Sequence, residues 1–528
     1  MPRPSPQPRR LTRRRFLQGA AATAAAGYAA STGLGGLIQG ARDEEWPAII
    51  IGSGYGGGVS ALRLAQRGVR TLMLEMGRYW NPATQPFRPM TNPGKSSVWR
   101  RNWNIMPIGV NLPVPFSAGV LGREDFPGMQ VYVGHGVGGG SLVNGGMAVV
   151  PRRDHLQQIL PGAVDLDDLY GRWFPLAQAE LGVHEIDPSF FATTPWYQFA
   201  RLGIDQARKA GFGTAMVPNV YDFDYMRQEA AGSVPASALD GEVILGNNHG
   251  KKSIDKTYLA RALATGRLTI RTRHQVQRIS QGRDGTYVLQ VNLLDGIGDL
   301  IGSARFRTKR LFINAGSLGT TRLLLRARET GTLPDLPAAI GETWGNNGNI
   351  MTARAWVGRT GAKQSTIPVA GIDNWSDRDH PFFAEIAPLP AGVDLMTGLY
   401  LAIVNNPARA RIAWNAAKDD IAIQWKDSYD DFPVRTAEYM VNRLNDANGG
   451  TFNRLLFPSG TGHDFTYHPL GGCLLGQATD DAGRVQGYPG LYVMDGALIN
   501  GNVGVNPFLT ITALAERNMA RVIAEDFR

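Results

Sequence analysis

Residues 47–77 read PAIIIGSGYGGGVSALRLAQRGVRTLMLEMG, in which apolar runs alternate with glycine turns. The apolar run Ala48–Ile51 predicts a short buried strand, and the run Val59–Gln66 has the apolar spacing of a helix. A second apolar run, Val69–Leu74, predicts another strand that leads into Glu75. Strand, glycine turn, helix and strand in this order predict a βαβ unit in a parallel sheet.

The turn between the first strand and the helix contains the spacing G-x-G-x-x-G, formed by Gly52, Gly54 and Gly57. These glycines permit a tight turn, leave room for a pyrophosphate and let the helix pack closely on the strand. The positive end of the helix dipole would face the phosphates. Glu75 can accept hydrogen bonds from the ribose hydroxyls of an adenosine, and an acid here disfavours a 2′-phosphate. The stretch predicts a dinucleotide site but does not separate NAD from FAD.

The composition is that of a soluble globular protein with more than one domain. The chain has 528 residues, of which 43% are hydrophobic and 19% are charged. Its net charge of +9 comes partly from arginines in the first fifteen residues, and no basic stripe indicates nucleic-acid binding. The one cysteine, Cys473, is interpreted as a buried thiol, and no metal site is predicted.

The first 41 residues are predicted to be an export signal. Residues 12–18 read TRRRFLQ and precede an alanine-rich run, residues 19–30, which together are typical of a twin-arginine signal peptide. A basic tail without a targeting role is the alternative. We therefore expect a secreted protein that folds before export.

A second glycine-rich stretch, residues 134–147, reads GHGVGGGSLVNGGM. Glycine costs about 0.5–1 kcal/mol per residue inside a helix or strand, so this stretch suits main chain lying against a large flat ligand. Gly316 follows the apolar run Leu311–Ala315 at another predicted turn from strand to helix. Asp495 and Gly496 follow the run Leu491–Met494, where Asp495 could hold a ribityl hydroxyl.

Nine segments carry a resemblance to a known family: GSGYGGGVSALRL, GVGGGSLVNGGM, YDFDYMRQEAAG, LGNNHGKKSIDKTYLA, AGSLGTTRLL, NGNIMTARA, FAEIAPLPAG, YHPLGGC and VGVNPFLTITALAER. The chain resembles the glucose–methanol–choline oxidoreductases and, within them, the secreted bacterial cholesterol oxidases, from Pro47 to the C-terminus. The resemblance implies FAD as a permanent cofactor. Some relatives attach FAD to a histidine in a Ser-x-His-Asn sequence, which here reads Ser141-Leu142-Val143-Asn144 and favours non-covalent binding. His135 stands where similar oxidases have arginine.

The predicted cofactor site takes in both glycine stretches, the later strand ends and the start of the last helix. Its residues are Gly52, Gly54, Tyr55, Gly56, Gly57, Glu75, Gly136, Gly138, Gly139, Gly140, Ser141, Asn144, Gly145, Met147, Gly316, Asp495, Gly496, Asn506, Pro507 and Phe508. The predicted substrate pocket contains Met147, Phe383, Phe465 and Tyr467.

Three residues are predicted to be catalytic. Oxidation of an alcohol needs a group that binds the hydroxyl and takes its proton, and the resemblance assigns His468 and Asn506 to the hydroxyl. Glu385 lies in FFAEIAPLP, where apolar neighbours should raise its pKa and let it act as acid and base. The matching position implies that Glu385 moves a proton from carbon 4 to carbon 6 of a steroid.

The resemblance implies oxidation of the 3β-hydroxyl of cholesterol or related sterols by oxygen, followed by isomerisation to the 4-en-3-one. A dehydrogenase of the same family with another electron acceptor, and a flavoprotein that only senses redox state, are the alternatives. The fold class is α/β, with a discontinuous Rossmann-like FAD domain (47–76, 251–341 and 478–528) and an α+β substrate domain (77–250 and 342–477) containing a large, mainly antiparallel sheet. The runs Arg411–Trp414 and Asp420–Trp425 are predicted to be strands of that sheet.

The expected partners are a sterol, molecular oxygen and a lipid surface. Residues 99–120 read WRRNWNIMPIGVNLPVPFSAGV, which is apolar and interrupted by proline. A core loop is one interpretation, and a lid that touches lipid and admits a sterol is the other, which the resemblance favours. We expect a monomer.

Overall fold

A computed structural model describes residues 43–80, 118–240, 249–361, 366–389, 394 and 396–528. Residues Glu44–Arg528 form one compact unit. The predicted export signal, residues 1–41, and most of the predicted lid, residues 99–117, lie outside the described residues. No helix within the described ranges is long and apolar enough to cross a membrane.

A parallel sheet of five strands carries the first glycine turn. Its strands, in spatial order, are Leu491–Val493, Leu311–Ile313, Ala48–Ile51, Thr71–Glu75 and Leu268–Thr272. The second predicted strand begins at Thr71 rather than Val69, because the N–H groups of Gly68 and Val69 still bond to carbonyls of the preceding helix. That helix, Tyr55–Gln66, begins four residues before Val59, so the glycines form its first turn.

Three helices pack together beside this sheet: Tyr55–Gln66, Tyr258–Ala264 and Phe508–Asp526. One buried carboxylate joins them. Glu516 accepts hydrogen bonds from Arg63 at 2.6 Å and from the Tyr258 hydroxyl at 2.7 Å. The last helix begins at Phe508 with Pro507 as its N-cap.

A seven-stranded antiparallel sheet forms the second layer. Six strands follow in the order Thr451–Phe452, Asn349–Ala355, Thr397–Val404, Phe382–Ala387, Ala370–Asp373 and Gly213–Met216, and Thr461–Gly462 also pairs with Asn349–Ala355. The helices Gln198–Lys209 and Asp431–Asn448 cover one face. That face is an apolar cluster that includes Ile350, Ala384 and Ala402. The fold class is therefore confirmed, and the residue limits of the two domains stay a prediction.

One predicted element is wrong. The strands Ile412–Asn415 and Asp420–Ile423 pair only with each other, as a separate hairpin, and are not part of the large sheet. The reason is their packing on the helix Gly316–Glu329, where Arg322 bonds to Asp420 at 2.6 Å. An ion pair this far apart in sequence leaves no mark in the local pattern of apolar residues.

The remaining elements form smaller sheets and surface helices. The other strands are Glu44–Glu45, Leu121–Phe126, Met129–Gly134, His274–Gln281, Tyr287–Leu294, Leu300–Thr308, Trp344–Gly345, Phe465–Thr466 and Leu470–Gly471. The other α-helices are Arg153–Ile159, Leu166–Asp168, Phe174–Leu181, Pro188–Thr193 and Phe223–Ala231, with a π-helical turn at Leu169–Trp173.

Candidate functional site

The two glycine stretches meet in space and form what we call the glycine cradle, residues 52–57 and 134–147. A Cβ on Gly57 would lie 2.3 Å from the carbonyl oxygen of Gly52, and one on Gly139 would lie 2.8 Å from Cα of Gly54. A side chain at either position would collide with main chain. By contrast, a Cβ on Gly54 would meet nothing within 4 Å. The cradle is thus closed by glycine contacts on one side and open in front of Gly54, where a pyrophosphate is predicted.

Glu75 ties the two halves of the cradle together. Its Oε1 accepts the N–H of Gly77 at 2.8 Å and of Gly136 at 3.2 Å, and its Oε2 accepts the Ser53 hydroxyl at 2.6 Å. Burial raises its pKa, and these hydrogen bonds act in the opposite direction. Joining the cradle is a role that the sequence does not predict. The predicted contact between Glu75 and a ribose stays a prediction.

Further predicted cofactor residues line the same place. The Tyr55 ring stacks on Phe508 at 4.9 Å between centroids, and its hydroxyl accepts the Asn144 amide at 2.7 Å. The Ser141 hydroxyl donates to the Gly138 carbonyl at 2.7 Å. The rest are buried main chain or core, namely Gly136, Gly138, Gly145, Met147, Gly496, Asn506 and Pro507, whereas Gly140 and Gly316 are exposed.

Asp495 lies at the turn between the parallel sheet and the helix Gly316–Glu329. Its carboxylate accepts the N–H of Gly316 at 2.8 Å and the Thr320 hydroxyl at 2.6 Å. Burial raises its pKa to about 6. The contacts hold this turn, and the predicted bond to a ribityl hydroxyl stays a prediction.

Buried polar atoms without a partner surround the cradle. Within the described residues, both amide atoms of Asn314 lack a hydrogen bond, as do Oδ1 of Asn144, Oδ1 of Asn506 and Oγ1 of Thr510. Asn314 borders the cradle, because a Cβ on Gly56 would lie 2.9 Å from its Oδ1. Such groups are costly unless a ligand bonds to them. Donors and acceptors of this kind fit the hydroxyl, phosphate and ring amide groups of FAD. The sequence does not predict Asn314 or Thr510 as part of the site.

The face of the seven-stranded sheet opposite those two helices carries the candidate chemistry, and we call it the site face. Residues that face each other on neighbouring strands point to the same side of a sheet. One row consists of Asn349, Ile403 and Phe383, and the next consists of Met351, Leu401 and Glu385. The site face therefore places an amide and a carboxyl among apolar side chains.

Glu385 is buried, with 1% of its surface exposed. Burial raises its pKa to about 8, although a hydrogen bond from the Asn506 amide favours the charged form. Its Oε1 has no partner within the described part of the chain. A carboxyl that exchanges its proton near neutral pH, with one oxygen free, can act as both acid and base.

His468 lies at the edge of the same face. Burial lowers its pKa to about 3, so the imidazole is neutral near pH 7. Its Nδ1 lies 2.9 Å from Nδ2 of Asn349. His468 makes no direct hydrogen bond to Glu385 or Asn506 among the described residues. The structure thus brings Glu385 and Asn506 into contact and connects His468 to the site face through Asn349.

The loop that presents Asn506 is held by Asn347, two residues before the strand Asn349–Ala355. Asn347 accepts the N–H of Val503 at 2.8 Å and donates to the carbonyl of Val505 at 2.9 Å. The sequence does not identify Asn347 and Asn349 as functional. Their signal is the run Asn346-Asn347-Gly348-Asn349 before a buried strand, because buried amides need partners.

The predicted pocket residues fall into two apolar groups. Phe465 and Tyr467 pack with each other, and the Tyr467 hydroxyl reaches Sδ of Met351 at 2.7 Å. The pKa of Tyr467 is raised mainly by burial, next by Tyr132 and then by the nearby Glu385 carboxyl. Phe383 is buried on the site face beside Glu385, and Met147 is buried at the cradle.

His135 is half-buried beside the cradle. Its pKa falls to about 4, first because the surrounding protein displaces water and second because Arg322 is close. The imidazole of His135 is therefore neutral near pH 7. Cys473 is buried, as the sequence predicts.

The C-terminal part of the chain matches known families. Residues 347–458 match the family described as GMC oxidoreductase, C-terminal, and residues 415–515 match the family described as GMC oxidoreductase. This range contains Asn349, Glu385, His468 and Asn506. The three candidate catalytic residues thus lie in the part of the chain on which the family match depends.

Individual proteins are similar over almost the whole chain. A cholesterol oxidase of Acinetobacter baumannii is 23% identical, over 92% of this chain and 95% of that protein. A cholesterol oxidase of Mycobacterium tuberculosis is 24% identical, over 90% of each. The solved structure of a fungal aryl-alcohol oxidase has a TM-score of 0.63 at 13% identity, over 92% of this chain and 100% of that one. The fold and the flavin-dependent oxidoreductase class agree with the geometry of the site.

Proposed function

The chain is an oxidoreductase of the glucose–methanol–choline family, and from this premise we propose that it oxidises the 3β-hydroxyl of cholesterol or a related sterol. The acceptor is oxygen, and the double bond of the product is then moved to give the 4-en-3-one. The observation that carries this proposal is the buried carboxyl of Glu385 on the site face, with a pKa near 8 and one oxygen without a partner.

In the oxidation, the sterol loses a proton from its hydroxyl and a hydride from carbon 3. The neutral imidazole of His468 takes the proton, and the Asn506 amide binds the oxygen. FAD, when bound, supplies the hydride acceptor. Oxygen finally receives the two electrons and, with two protons, leaves as hydrogen peroxide.

Alcohol oxidation alone gives no reason for Glu385. In the isomerisation, its carboxylate takes a proton from carbon 4 of the ketone and returns one proton to carbon 6. No electrons are gained or lost, so one acid–base group is sufficient. A pKa near 8 suits both halves of the step, because neither form of the carboxyl is strongly favoured near neutral pH.

The apolar side chains around Glu385 suit a rigid hydrocarbon substrate. Met351, Leu399, Leu401, Phe465 and Tyr467 belong to one cluster beside it. We further propose that FAD is held without a covalent bond, since no histidine stands between Ser141 and Asn144. Twin-arginine export, contact with a lipid surface and a monomeric state belong to the same proposal.

Anaerobic addition of cholesterol to the purified holoenzyme tests the proposal. We expect the flavin absorbance to bleach, and in air we expect one peroxide per alcohol and the ultraviolet band of a conjugated enone. Cholestanol, which lacks the ring double bond, should bleach the flavin without giving the enone, and cholestane, which lacks the hydroxyl, should do neither.

Each result leads to a different conclusion. Absence of bleaching by any 3β-hydroxysterol would exclude a sterol oxidase. Bleaching by cholesterol without peroxide in air would favour the dehydrogenase alternative.

A further inference from the structure

A small group of buried polar residues lies behind His468. Nδ2 of Asn349 is 2.9 Å from Nδ1 of His468, and Oδ1 of Asn349 is 2.7 Å from Oγ1 of Thr466. The same hydroxyl oxygen lies 3.0 Å from the carbonyl oxygen of Asn346 and 3.0 Å from the main-chain nitrogen of His468. Asn349 and Thr466 are at most 1% exposed, so water does not compensate for an unpaired group.

The protons available to Thr466 decide how the amide is oriented. The main-chain N–H of His468 can only donate to the hydroxyl, and the Asn346 carbonyl can only accept from it. That carbonyl receives the Asn349 N–H at 3.2 Å and keeps a second lone pair for the hydroxyl. With the amide oxygen towards Thr466, one hydroxyl proton would have to serve two acceptors.

Turning the Asn349 amide by 180° about its last bond satisfies every contact with the same atom positions. The NH2 group then donates to Thr466, whose proton goes to the Asn346 carbonyl. The amide oxygen then faces Nδ1 of His468. Since the two ends of an amide differ only in their protons, the hydrogen-bond network is what decides between the orientations.

We propose that Asn349, oriented by Thr466, accepts the Nδ1–H of His468 and so leaves Nε2 as a bare acceptor for the proton of the substrate hydroxyl. Asn349 is a positioning residue, because it acts through His468. This inference rests on the proposed alcohol oxidation for its function but not for its structure. Because burial keeps the imidazole neutral, one ring nitrogen carries the proton.

Nitrogen NMR of the holoenzyme labelled with ¹⁵N-histidine reads the tautomer directly. His468→Gln identifies the signal of His468 by its disappearance. We expect Nδ1 to be protonated and Nε2 to be bare. A protonated Nε2 at this residue would overturn the proposal. The measurement needs no turnover, so its result is independent of whether the protein oxidises sterols.

A rescue experiment tests the role of Thr466 in the rate. Thr466→Val removes the hydroxyl that orients the amide, and we expect the anaerobic rate of flavin reduction to fall by about tenfold or more at unchanged flavin content. In the double variant T466V/N349D both oxygens of the new carboxylate accept, so orientation no longer matters. We expect this variant to recover most of the lost rate, with the acid limb of its pH profile moved to higher pH.

A purely structural role for Thr466 predicts the opposite. The double variant would then be as slow as T466V or slower, and that result would overturn the proposal. If T466V does not fold, the NMR measurement on the wild-type protein still decides between the tautomers. If no alcohol bleaches the flavin, the proposed function fails, while the tautomer remains measurable.

Discussion

The glycine cradle is built from main chain, whereas the site face is built from side chains. In the cradle, residues 52–57 contact residues 134–147 through glycines. The main chains approach so closely that a Cβ at Gly139 would collide with the opposite chain segment. On the site face, Glu385, His468 and Asn506 come from three separate segments. Asn347 holds the loop of Asn506, Asn349 contacts His468, and Asn506 itself bonds to Glu385. The main-chain surface leaves room for a dinucleotide, whereas the side chains of the site face carry the candidate chemistry.

The difference also determines how each region responds to substitution. In the cradle, a new methyl group either collides with protein or occupies the space of a ligand. The first case lowers the stability of the apoprotein, and the second lowers only the affinity for the ligand. On the site face, a changed side chain removes a titratable group or a hydrogen bond, and the main-chain conformation stays the same. Each region therefore calls for its own kind of variant.

Gly54→Ala should have the most far-reaching effect, because loss of the cofactor would remove both proposed reactions. The residue has φ −70° and a new Cβ would meet no protein atom within 4 Å, so we expect the apoprotein to be as stable as wild type. The methyl group would stand where the pyrophosphate is predicted, and we expect FAD affinity to fall by at least about tenfold, or 1.4 kcal/mol. Bound flavin per chain and the Tm of the apoprotein measure the two effects.

Gly56→Ala is the matched comparison. Its Cβ would lie 2.0 Å from the carbonyl oxygen of Met494, so the apoprotein itself should lose about 1–3 kcal/mol or more. If Gly54→Ala lowers the Tm of the apoprotein as much as Gly56→Ala does, the space in front of Gly54 is not a ligand site.

Glu385→Gln should separate the two proposed reactions. The amide keeps the shape and the contact with Asn506 but cannot carry a proton between carbons. We expect isomerisation to fall by about 10²-fold or more, while flavin reduction by cholesterol continues at a reduced rate. The ratio of unconjugated to conjugated ketone measures the split. Formation of the conjugated ketone at the normal rate would assign the proton transfer to another group.

The comparison also explains what the sequence can predict. The turn at Gly52, Gly54 and Gly57 depends on a spacing within a few residues, so the local pattern is sufficient to predict it. The link between His468 and Asn349 spans 119 positions, and no periodicity marks it. The apolar neighbours of Glu385, by contrast, already indicate a raised pKa, because alternation along one strand places Phe383 and Glu385 on one face. Its assignment as a catalytic residue rests on the family resemblance.

Predictions that depend on contacts between distant parts of the chain are wrong or incomplete. The strands near Trp414 and Ile423 were correct as extended segments, but their partners were wrong, since pairing depends on tertiary contacts such as Arg322 with Asp420. The position of Glu75 at the end of its strand is as predicted. Its bonds to Gly77 and Gly136 depend on the second glycine stretch lying beside the first.

Glu385 should also make stability depend on pH. Burial raises its pKa from 4.5 to about 8, so the folded protein keeps a proton that the unfolded chain releases. Between these values the unfolded state binds fewer protons, and the free energy of unfolding should fall as pH rises, by up to about 5 kcal/mol. The stabilisation is complete below the unfolded pKa and is lost as pH rises through the folded pKa.

Glu385→Gln isolates this contribution from those of other buried acids. We expect the Tm of the variant minus that of wild type to increase between about pH 5 and pH 8.5, because only wild type must bury a carboxylate at the higher pH. An unchanged difference across this range would mean that Glu385 has an ordinary pKa, and that the site face is more open to water than its burial indicates.

Asn347→Gly should have the smallest effect and tests whether the site face needs its amides. Asn347 has φ +58°, which glycine adopts freely, so the change removes two hydrogen bonds without adding strain. We expect a loss of about 1–3 kcal/mol in stability and a several-fold fall in the rate of flavin reduction, because the loop that carries Asn506 loses two hydrogen bonds.

Asn406→Gly is the control, since Asn406 makes the same pair of contacts, to Ala408 and Tyr429. If both variants lose stability and only Asn347→Gly loses rate, the amide acts through Asn506. Equal losses of rate in both variants would mean that Asn347 only supports packing. Asn349 would then be the one amide left as evidence that side chains position the site face, in contrast to the main-chain cradle.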